Sequence, residues 1–143
     1  MSMRILGLDH GSKRIGVAIC DELGITAYGL TTIIRKNKKQ VLAALAELIK
    51  KYDVEKIVIG YPIRLNGTKG IQCEKVDQFS KALEAVFSLP VIKWDETLTT
   101  KDAEEILFQA NVRREKRKEV VDQLAASLIL KAHLASGMKE EGT

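Results

Sequence analysis

The stretch Arg4-Ile5-Leu6-Gly7-Leu8-Asp9-His10-Gly11 begins with an apolar run that ends in a carboxylate, followed closely by a glycine. The run predicts a buried strand over residues 4–9, and the glycine lets the backbone turn and approach a ligand closely. Asp9 therefore lies at the tip of a buried strand, a favoured place to hold a cation or a phosphate-bound metal. The rest of the predicted fold extends from this strand.

Two further apolar runs, over residues 14–21 and about 25–33, follow after short glycine-containing turns. With the first strand they predict an antiparallel meander. Helical spacing of apolar residues predicts an amphipathic helix over 38–52, and the run Ile57-Val58-Ile59 predicts a strand over 56–60 that is covered on both faces. Later patterns predict a loop over 61–70, a helix over about 71–87, a strand over 90–95, and helices over about 100–110 and 118–136.

This order of elements predicts one α/β domain over residues 1–136, with a short tail over 137–143. The domain is a five-stranded mixed sheet, a meander followed by parallel strands, with helices on both faces. If strands one, four and five pair in parallel, their carboxyl ends share one edge, which is where open α/β sheets bind ligands. That edge is expected to carry Asp9, Gly60 with its loop, and Asp95-Glu96.

The composition limits the class of protein. The chain has 143 residues, of which 45% are hydrophobic and 29% charged, and its net charge is +4. These values are ordinary for a folded domain and exclude disordered and fibrous classes. No apolar run approaches the ~20 residues that cross a bilayer, and no signal peptide is apparent, so we expect a cytoplasmic protein without a membrane partner. Cys20 and Cys73 are expected to be free thiols.

Two basic clusters are present, with five cations in the six residues 113–118 and four in the five residues 35–39. Such clusters can neutralise the phosphates of a nucleic acid. Taken alone, charge runs more commonly stay solvated as connectors. Both interpretations remain open from the sequence.

Two more acids are candidates for a site. Glu96 follows Asp95 at the end of the fifth strand, and because alternate side chains point to opposite faces, only one of the two can face the site. We favour Glu96, although Thr99 and Asp102 nearby are also spaced like a helix capping box. Asp122 is predicted in the first turn of the last helix, on the flank of its apolar stripe. Stabilisation of the helix amino end would explain Asp122 equally well.

Three carboxylates brought together would repel one another, and a divalent cation removes that conflict. Carboxylate oxygens suit Mg²⁺ or Mn²⁺, and Mg²⁺ keeps several waters while it binds substrate phosphate. The chemistry predicted is hydrolysis of phosphodiester bonds assisted by two ions about 3.5–4 Å apart. The predicted catalytic and metal-binding residues are Asp9, Glu96 and Asp122.

Four ordered motifs make the chain resemble a known family. They are Asp9-His10-Gly11-Ser12-Lys13-Arg14-Ile15-Gly16-Val17-Ala18, Gly60-Tyr61-Pro62 with Asn66-Gly67-Thr68, Asp95-Glu96-Thr97-Leu98-Thr99-Thr100, and Asp122-Gln123-Leu124-Ala125-Ala126. Together they resemble the YqgF family, also called RuvX, a branch of the RNase H-like nucleases. The resemblance implies an RNase H-like fold, a bacterial cytoplasmic protein, and trimming of the 5′ end of pre-16S ribosomal RNA, with the same acidic triad. The family was earlier regarded as a Holliday junction resolvase because of its similarity to RuvC, so the resemblance implies this activity as an alternative.

Residues expected to bind nucleic acid follow partly from the resemblance, which implies Lys13 and Arg14, and partly from the sequence itself. Lys13 and Arg14 are expected to contact phosphate, although Arg14 could instead pair with a surface carboxylate. Tyr61 is the candidate for stacking on a base, whereas Trp94 is expected in the core. The remaining predicted nucleic-acid-binding residues are Arg64, Lys69, Arg113, Arg114, Lys116 and Arg117.

Several functions remain open. The leading one is a metal-dependent endonuclease acting on structured RNA in ribosomal precursor particles. A nuclease that resolves branched DNA junctions would use the same acids, because phosphate contacts do not reveal the sugar. A nucleic-acid-binding module with little or no catalysis is the third. An ATP-binding kinase of the actin-like superfold is disfavoured, because that fold needs two lobes and 143 residues are enough for only one. The protein is expected as a monomer or homodimer.

Overall fold

The computed structural model describes residues 4–11, 13–61, 70–95 and 114–141. These residues form five strands and three helices. In chain order they are β1 (Arg4–His10), β2 (Arg14–Cys20), β3 (Ala27–Ile34), α1 (Lys38–Tyr52), β4 (Val54–Tyr61), α2 (Ile71–Phe87), β5 (Val91–Asp95) and α3 (Arg114–Glu141). The predicted helix over 100–110 and most of the predicted loop, residues 62–69, lie outside the described residues. None of these three helices is both long and apolar enough to cross a membrane.

The five strands form one mixed sheet in the order β3-β2-β1-β4-β5. The first three strands pair antiparallel, while β1 pairs with β4 and β4 with β5 in parallel. In the parallel part, Leu8 lies beside Ile59, and Gly60 lies beside Trp94. The carboxyl ends of β1, β4 and β5 therefore meet at one edge. The predicted mixed sheet and its shared edge are confirmed.

Helices cover both faces of this sheet, as predicted. On one face, α1 and α2 pack over a core cluster that includes Leu8 and Ile59. On the other face, α3 packs over a smaller cluster that includes Ile5 and Val58. Because side chains alternate along a strand, the odd-numbered residues of β1 face α3 and the even-numbered ones face α1 and α2. Asp9 and His10 therefore point to opposite sides of the sheet.

Small residues allow α3 to lie very close to the sheet. Gly7, Ala18 and Gly29 pair side by side across β1, β2 and β3. A Cβ atom on Gly7 would lie 3.0 Å from a backbone carbonyl oxygen of α3, and one on Gly29 would lie 2.9 Å from an α3 side chain. A glycine inside a strand commonly marks such a close approach of another backbone. Because these glycines have no side chain, α3 can lie this close to the sheet.

The last helix differs from its prediction at both ends. It was predicted over about 118–136, but it begins at Arg114 and ends at Glu141. Lysine, arginine and glutamate are good helix formers, so the basic run from Arg114 continues the helix rather than serving as a connector. Gly137 costs about 1 kcal/mol inside a helix but does not by itself end one. The residues 137–141 that were predicted as a frayed tail are therefore helical.

Candidate active site

Asp9 lies one residue before the end of β1, at the shared carboxyl edge of the parallel strands. It is paired with Gly16 of β2 across the antiparallel ladder. Directly opposite residues of such a pair face the same side, with Cα atoms about 4.5–5.5 Å apart. Only 9% of Asp9 is exposed. The carboxylate is therefore enclosed on the face that α3 covers.

Gly16 brings the last helix to Asp9. A Cβ atom on Gly16 would lie 1.8 Å from the carbonyl oxygen of Asp122 and 2.2 Å from its carbonyl carbon. Real Cβ atoms essentially never come within 3.0 Å of such atoms, so only glycine fits beneath the helix at this point. Asp9 lies beside this glycine in the sheet, and Asp122 lies directly above it on α3. The structure thus brings two of the three predicted acids to one place.

Asp122 is held by an ion pair. Its Oδ2 atom accepts a hydrogen bond of 2.6 Å from Nε of Arg14, and 17% of its side chain is exposed. The predicted half-buried position is confirmed, but the predicted first-turn position is wrong, because the helix begins eight residues earlier at Arg114. The field of a helix end fades within one turn. Asp122 is therefore explained by its partner and not by the helix dipole.

Arg14, the first residue of β2, joins a strand near the start of the chain to a helix 108 residues later. Pairing with a carboxylate was the alternative to phosphate binding, and the partner turns out to be a candidate catalytic acid. The Arg14 side chain is 31% exposed. Its guanidinium balances one negative charge of the site and engages Oδ2, while Oδ1 of Asp122 lies outside this pair. Lys13 next to it is exposed in the turn between β1 and β2.

The third predicted acid, Glu96, follows β5 and lies outside the described residues. Within the described ranges, no group of three or more His, Cys, Asp or Glu side chains could hold a metal ion. Of the predicted nucleic-acid-binding residues, Arg64, Lys69 and Arg113 also lie outside these ranges. Arg114, Lys116 and Arg117 form the first turn of α3, where the structure describes the backbone only.

Tyr61 is the last residue of β4, so the prediction that it belongs to the loop is wrong. Tyr61 is 7% exposed, and its ring packs in the core on the α2 side of the sheet. The hydroxyl donates a 3.1 Å hydrogen bond to Oδ2 of Asp77, whose Oδ1 accepts one of 2.7 Å from Nζ of Lys93. Burial and the bond to Asp77 raise the pKa of Tyr61 to about 12. The ring is thus enclosed and does not offer an open surface for base stacking.

The aromatic residue expected in the core does lie there. Trp94 packs against the core cluster beneath α3. Its ring meets that of His133 edge-to-face, with centroids 5.4 Å apart. The two cysteines form no disulfide and lie on opposite faces of the sheet, Cys20 on β2 beneath α3 and Cys73 on α2.

Two residues were missed by prediction from the sequence. Gly16 was noted only as part of a motif, although a glycine within an apolar strand signals close approach of another backbone. His10 received no role, although alternation after Asp9 places it under the opposite helix layer. It is 6% exposed, and its ring centroid lies 4.7 Å from that of Phe79. Burial and the nearby Arg35 charge lower the pKa of His10 to about 4, so the ring is neutral at pH 7.

Comparison with known proteins identifies the family. Residues 3–136 match the RuvX family, described as a Holliday junction resolvase. A protein of Syntrophus aciditrophicus with the provisional name pre-16S rRNA nuclease is 62% identical over 139 residues, covering 97% of this chain and 93% of that protein. A protein of Geobacillus sp. with the same name is 49% identical over 136 residues, covering 94% and 99%.

The fold is similar to that of T. thermophilus RuvC, solved in complex with a Holliday junction substrate. The TM-score is 0.57 at 16% sequence identity, and the match covers 95% of this chain and 96% of that one. This likeness bears on architecture alone and agrees with the predicted RNase H-like fold. The sequence match over residues 3–136 settles the family. The chain therefore belongs to the RuvX family, and it has the RNase H-like architecture of RuvC.

Proposed function

We propose that this protein is a metal-dependent endonuclease that hydrolyses phosphodiester bonds at the 5′ end of pre-16S ribosomal RNA. One observation carries the proposal: the backbone of Asp122 lies over Gly16, which pairs with Asp9 on the edge where the parallel strands end. The provisional names of the Syntrophus and Geobacillus relatives support RNA as the substrate. We propose that this cleavage takes place in the bacterial cytoplasm, on ribosomal precursor particles.

Asp9, Glu96 and Asp122 are the residues that would hold the divalent cation, Mg²⁺ or Mn²⁺. Two features support this assignment. Carboxylate oxygens are the ligands that such ions prefer. In addition, Asp122 already binds a positive charge, the guanidinium of Arg14. When bound, a pair of ions would supply an activated water and would neutralise charge on the leaving oxygen. The enclosure of Asp9 shields that carboxylate from bulk water.

Basic residues are proposed to hold the phosphates of the substrate. Arg14 is proposed as a positioning residue, because its Nε fixes Oδ2 of Asp122. Lys13, exposed in the neighbouring turn, is proposed to contact phosphate directly. The further proposed phosphate contacts are Arg64, Lys69, Arg113, Arg114, Lys116 and Arg117.

The test is cleavage of an RNA fragment spanning the 5′ end of the 16S precursor, with Mg²⁺, by wild type and Asp9→Asn. We expect the variant to stay folded and to lose more activity than the about 10–100-fold typical of changing an outer-shell partner of a metal. Asp53→Asn is the matched control, because Asp53 is exposed at the end of α1 with φ 54, which asparagine tolerates. Unchanged cleavage by Asp9→Asn would exclude the proposed role of the acids.

A junction-resolving DNA nuclease is the second candidate, favoured by the description of the family and by the RuvC architecture. The same assay with a four-way DNA junction separates the two. Symmetrical cleavage of the junction by a dimer, with no cleavage of RNA, would replace the ribosomal proposal. Binding of either substrate without cleavage by wild-type protein would instead indicate a non-catalytic binding module.

A further inference from the structure

A cavity of about 400 Å³ opens on the face of the sheet opposite to Asp9 and Asp122. Four basic residues line it: Arg35 and Lys36 after β3, Lys38 at the start of α1, and Lys75 on α2. All four are exposed, and none of the described residues that line the cavity is acidic. A concave surface with charge of one sign concentrates counter-ions. This cavity is therefore suited to an anionic ligand.

The first turn of α1 adds to this positive character. Asn37 caps the helix, and its Oδ1 accepts a 2.8 Å hydrogen bond from the backbone N–H of Gln40. The 15-residue helix has no acidic residue in its first turn, so nothing there offsets the positive end of the helix dipole. Asn37 and Lys38 both line the cavity. The helix end thus faces the same space as the four cations.

The buried wall of the cavity carries an unsatisfied polar group. His10 lines the cavity and is 6% exposed, and its Nδ1 atom has no hydrogen-bond partner among the described residues. A buried polar atom without a partner costs about 1–3 kcal/mol, and a ligand in the cavity reaches Nδ1 only if the ring turns toward it. Phe79 lies against the His10 ring and also lines the cavity. The wall therefore includes two packed rings and a buried polar atom that has no partner among the described residues.

We propose that this cavity binds a nucleotide through its phosphate, as a nucleic-acid site separate from the acids. The volume lies within the about 300–1,000 Å³ of small-molecule sites, which leaves space for the sugar and base attached to the phosphate. The ligand is either a free mononucleotide or one nucleotide of a strand. Binding to a strand rests on the proposed function, whereas binding of a mononucleotide does not.

The cavity and the acids lie at the same edge of the sheet, on opposite faces. His10 directly follows Asp9 in β1. Nη1 of Arg35 donates a 2.7 Å hydrogen bond to the carbonyl oxygen of Gly11, so the cavity rim is tied to the turn that follows Asp9. A strand that passes over this edge therefore reaches both places.

The test compares two double variants that remove the same charge from the same two helices. Lys38→Ala/Lys75→Ala removes cavity lysines, whereas Lys39→Ala/Lys81→Ala removes exposed lysines that do not line the cavity. Binding of AMP and of a short single-stranded RNA is measured in EDTA, so that cleavage plays no part. We expect the cavity variant to bind at least about tenfold more weakly, with the logarithmic salt slope for RNA lower by about 1.4, as for two lost phosphate contacts.

If the cavity variant binds AMP more weakly but binds RNA normally, the ligand is a free nucleotide. If it binds RNA more weakly but binds AMP normally, the ligand is one nucleotide of a strand. Equal behaviour of the two double variants with both probes overturns the proposal. Proton NMR gives a second readout, because the chain has two histidines. AMP should shift the ring signals of His10 and leave those of His133, on α3, unchanged. The absence of a His10 shift with both AMP and the RNA at saturation also overturns it, and neither result depends on whether Asp9 is catalytic.

Discussion

The Gly16→Ala substitution adds one methyl group where α3 crosses β2. The new Cβ would lie 1.8 Å from the carbonyl oxygen of Asp122, so helix and strand must separate by at least about 1.2 Å to restore a 3.0 Å contact. Overpacking of this kind costs about 1–3 kcal/mol of unfolding free energy. A catalytic group displaced by about 1 Å loses on the order of 100-fold in rate. Stability and cleavage should therefore both fall.

Urea unfolding and the RNA cleavage assay measure the two effects on the same protein. Gly7→Ala and Gly29→Ala are graded controls, because their Cβ atoms would lie 3.0 Å and 2.9 Å from the nearest atoms, compared with 1.8 Å at Gly16. We expect both to cost less stability and to keep most of the cleavage activity. Should Gly16→Ala unfold at the same urea concentration as wild type and cleave RNA at the same rate, α3 does not rest on β2 as described.

Three further predictions concern single side chains. Arg14→Ala should lower the unfolding free energy by no more than about 1 kcal/mol in urea unfolding, because the ion pair is partly exposed. The substitution should nevertheless reduce cleavage, because Asp122 loses its hydrogen bond from Nε. Cleavage equal to that of wild type would contradict the positioning role of Arg14. Because the pKa of His10 falls from 6.5 to about 4, the unfolded chain takes up a proton first, so stability should drop by up to about 3 kcal/mol between pH 6.5 and 4. His10→Gln should flatten that part of the urea-unfolding profile, and an unchanged slope would refute the assignment. Tyr61→Phe should lower the unfolding free energy by about 1 kcal/mol in urea unfolding, because the hydrogen bond to Asp77 is lost. In an absorbance titration the substitution should also remove the phenol that ionises near pH 12. If every tyrosine of the wild-type protein ionised well below pH 12, this prediction would be wrong.

Much of the fold follows from local pattern. The helix predicted over 38–52 is observed with the same bounds, because its apolar spacing is regular and Asn37 provides a side-chain cap. Prediction failed where local signals conflicted. Tyr61 stands between a glycine and a proline, which favours a loop, but its ladder to β5 and its burial beneath α2 extend the strand. The basic run at Arg114 resembled a connector because charge alone does not distinguish a solvated loop from a solvated helix.

The candidate site was predictable in part for a similar reason. A carboxylate at the tip of an apolar strand is a local signal, so Asp9 could be named from the sequence. That Asp122 lies above it depends on Gly16, and the significance of a glycine is set by what touches it from far along the chain. The cavity beside His10 joins residues from β1, the β3–α1 connection, α1 and α2. Such a combination becomes visible only when the tertiary structure is known.

The contact between β2 and α3 also has a consequence in time. Arg14 and Asp122 are 108 residues apart, and ribosomes add about 5–20 residues per second. A growing polypeptide therefore carries Asp9 for several seconds before Asp122 has been synthesised, and longer before α3 can dock. Under the proposed function, an unfinished copy lacks the pair formed by Asp9 and Asp122 and would not cleave RNA near the ribosome that is making it.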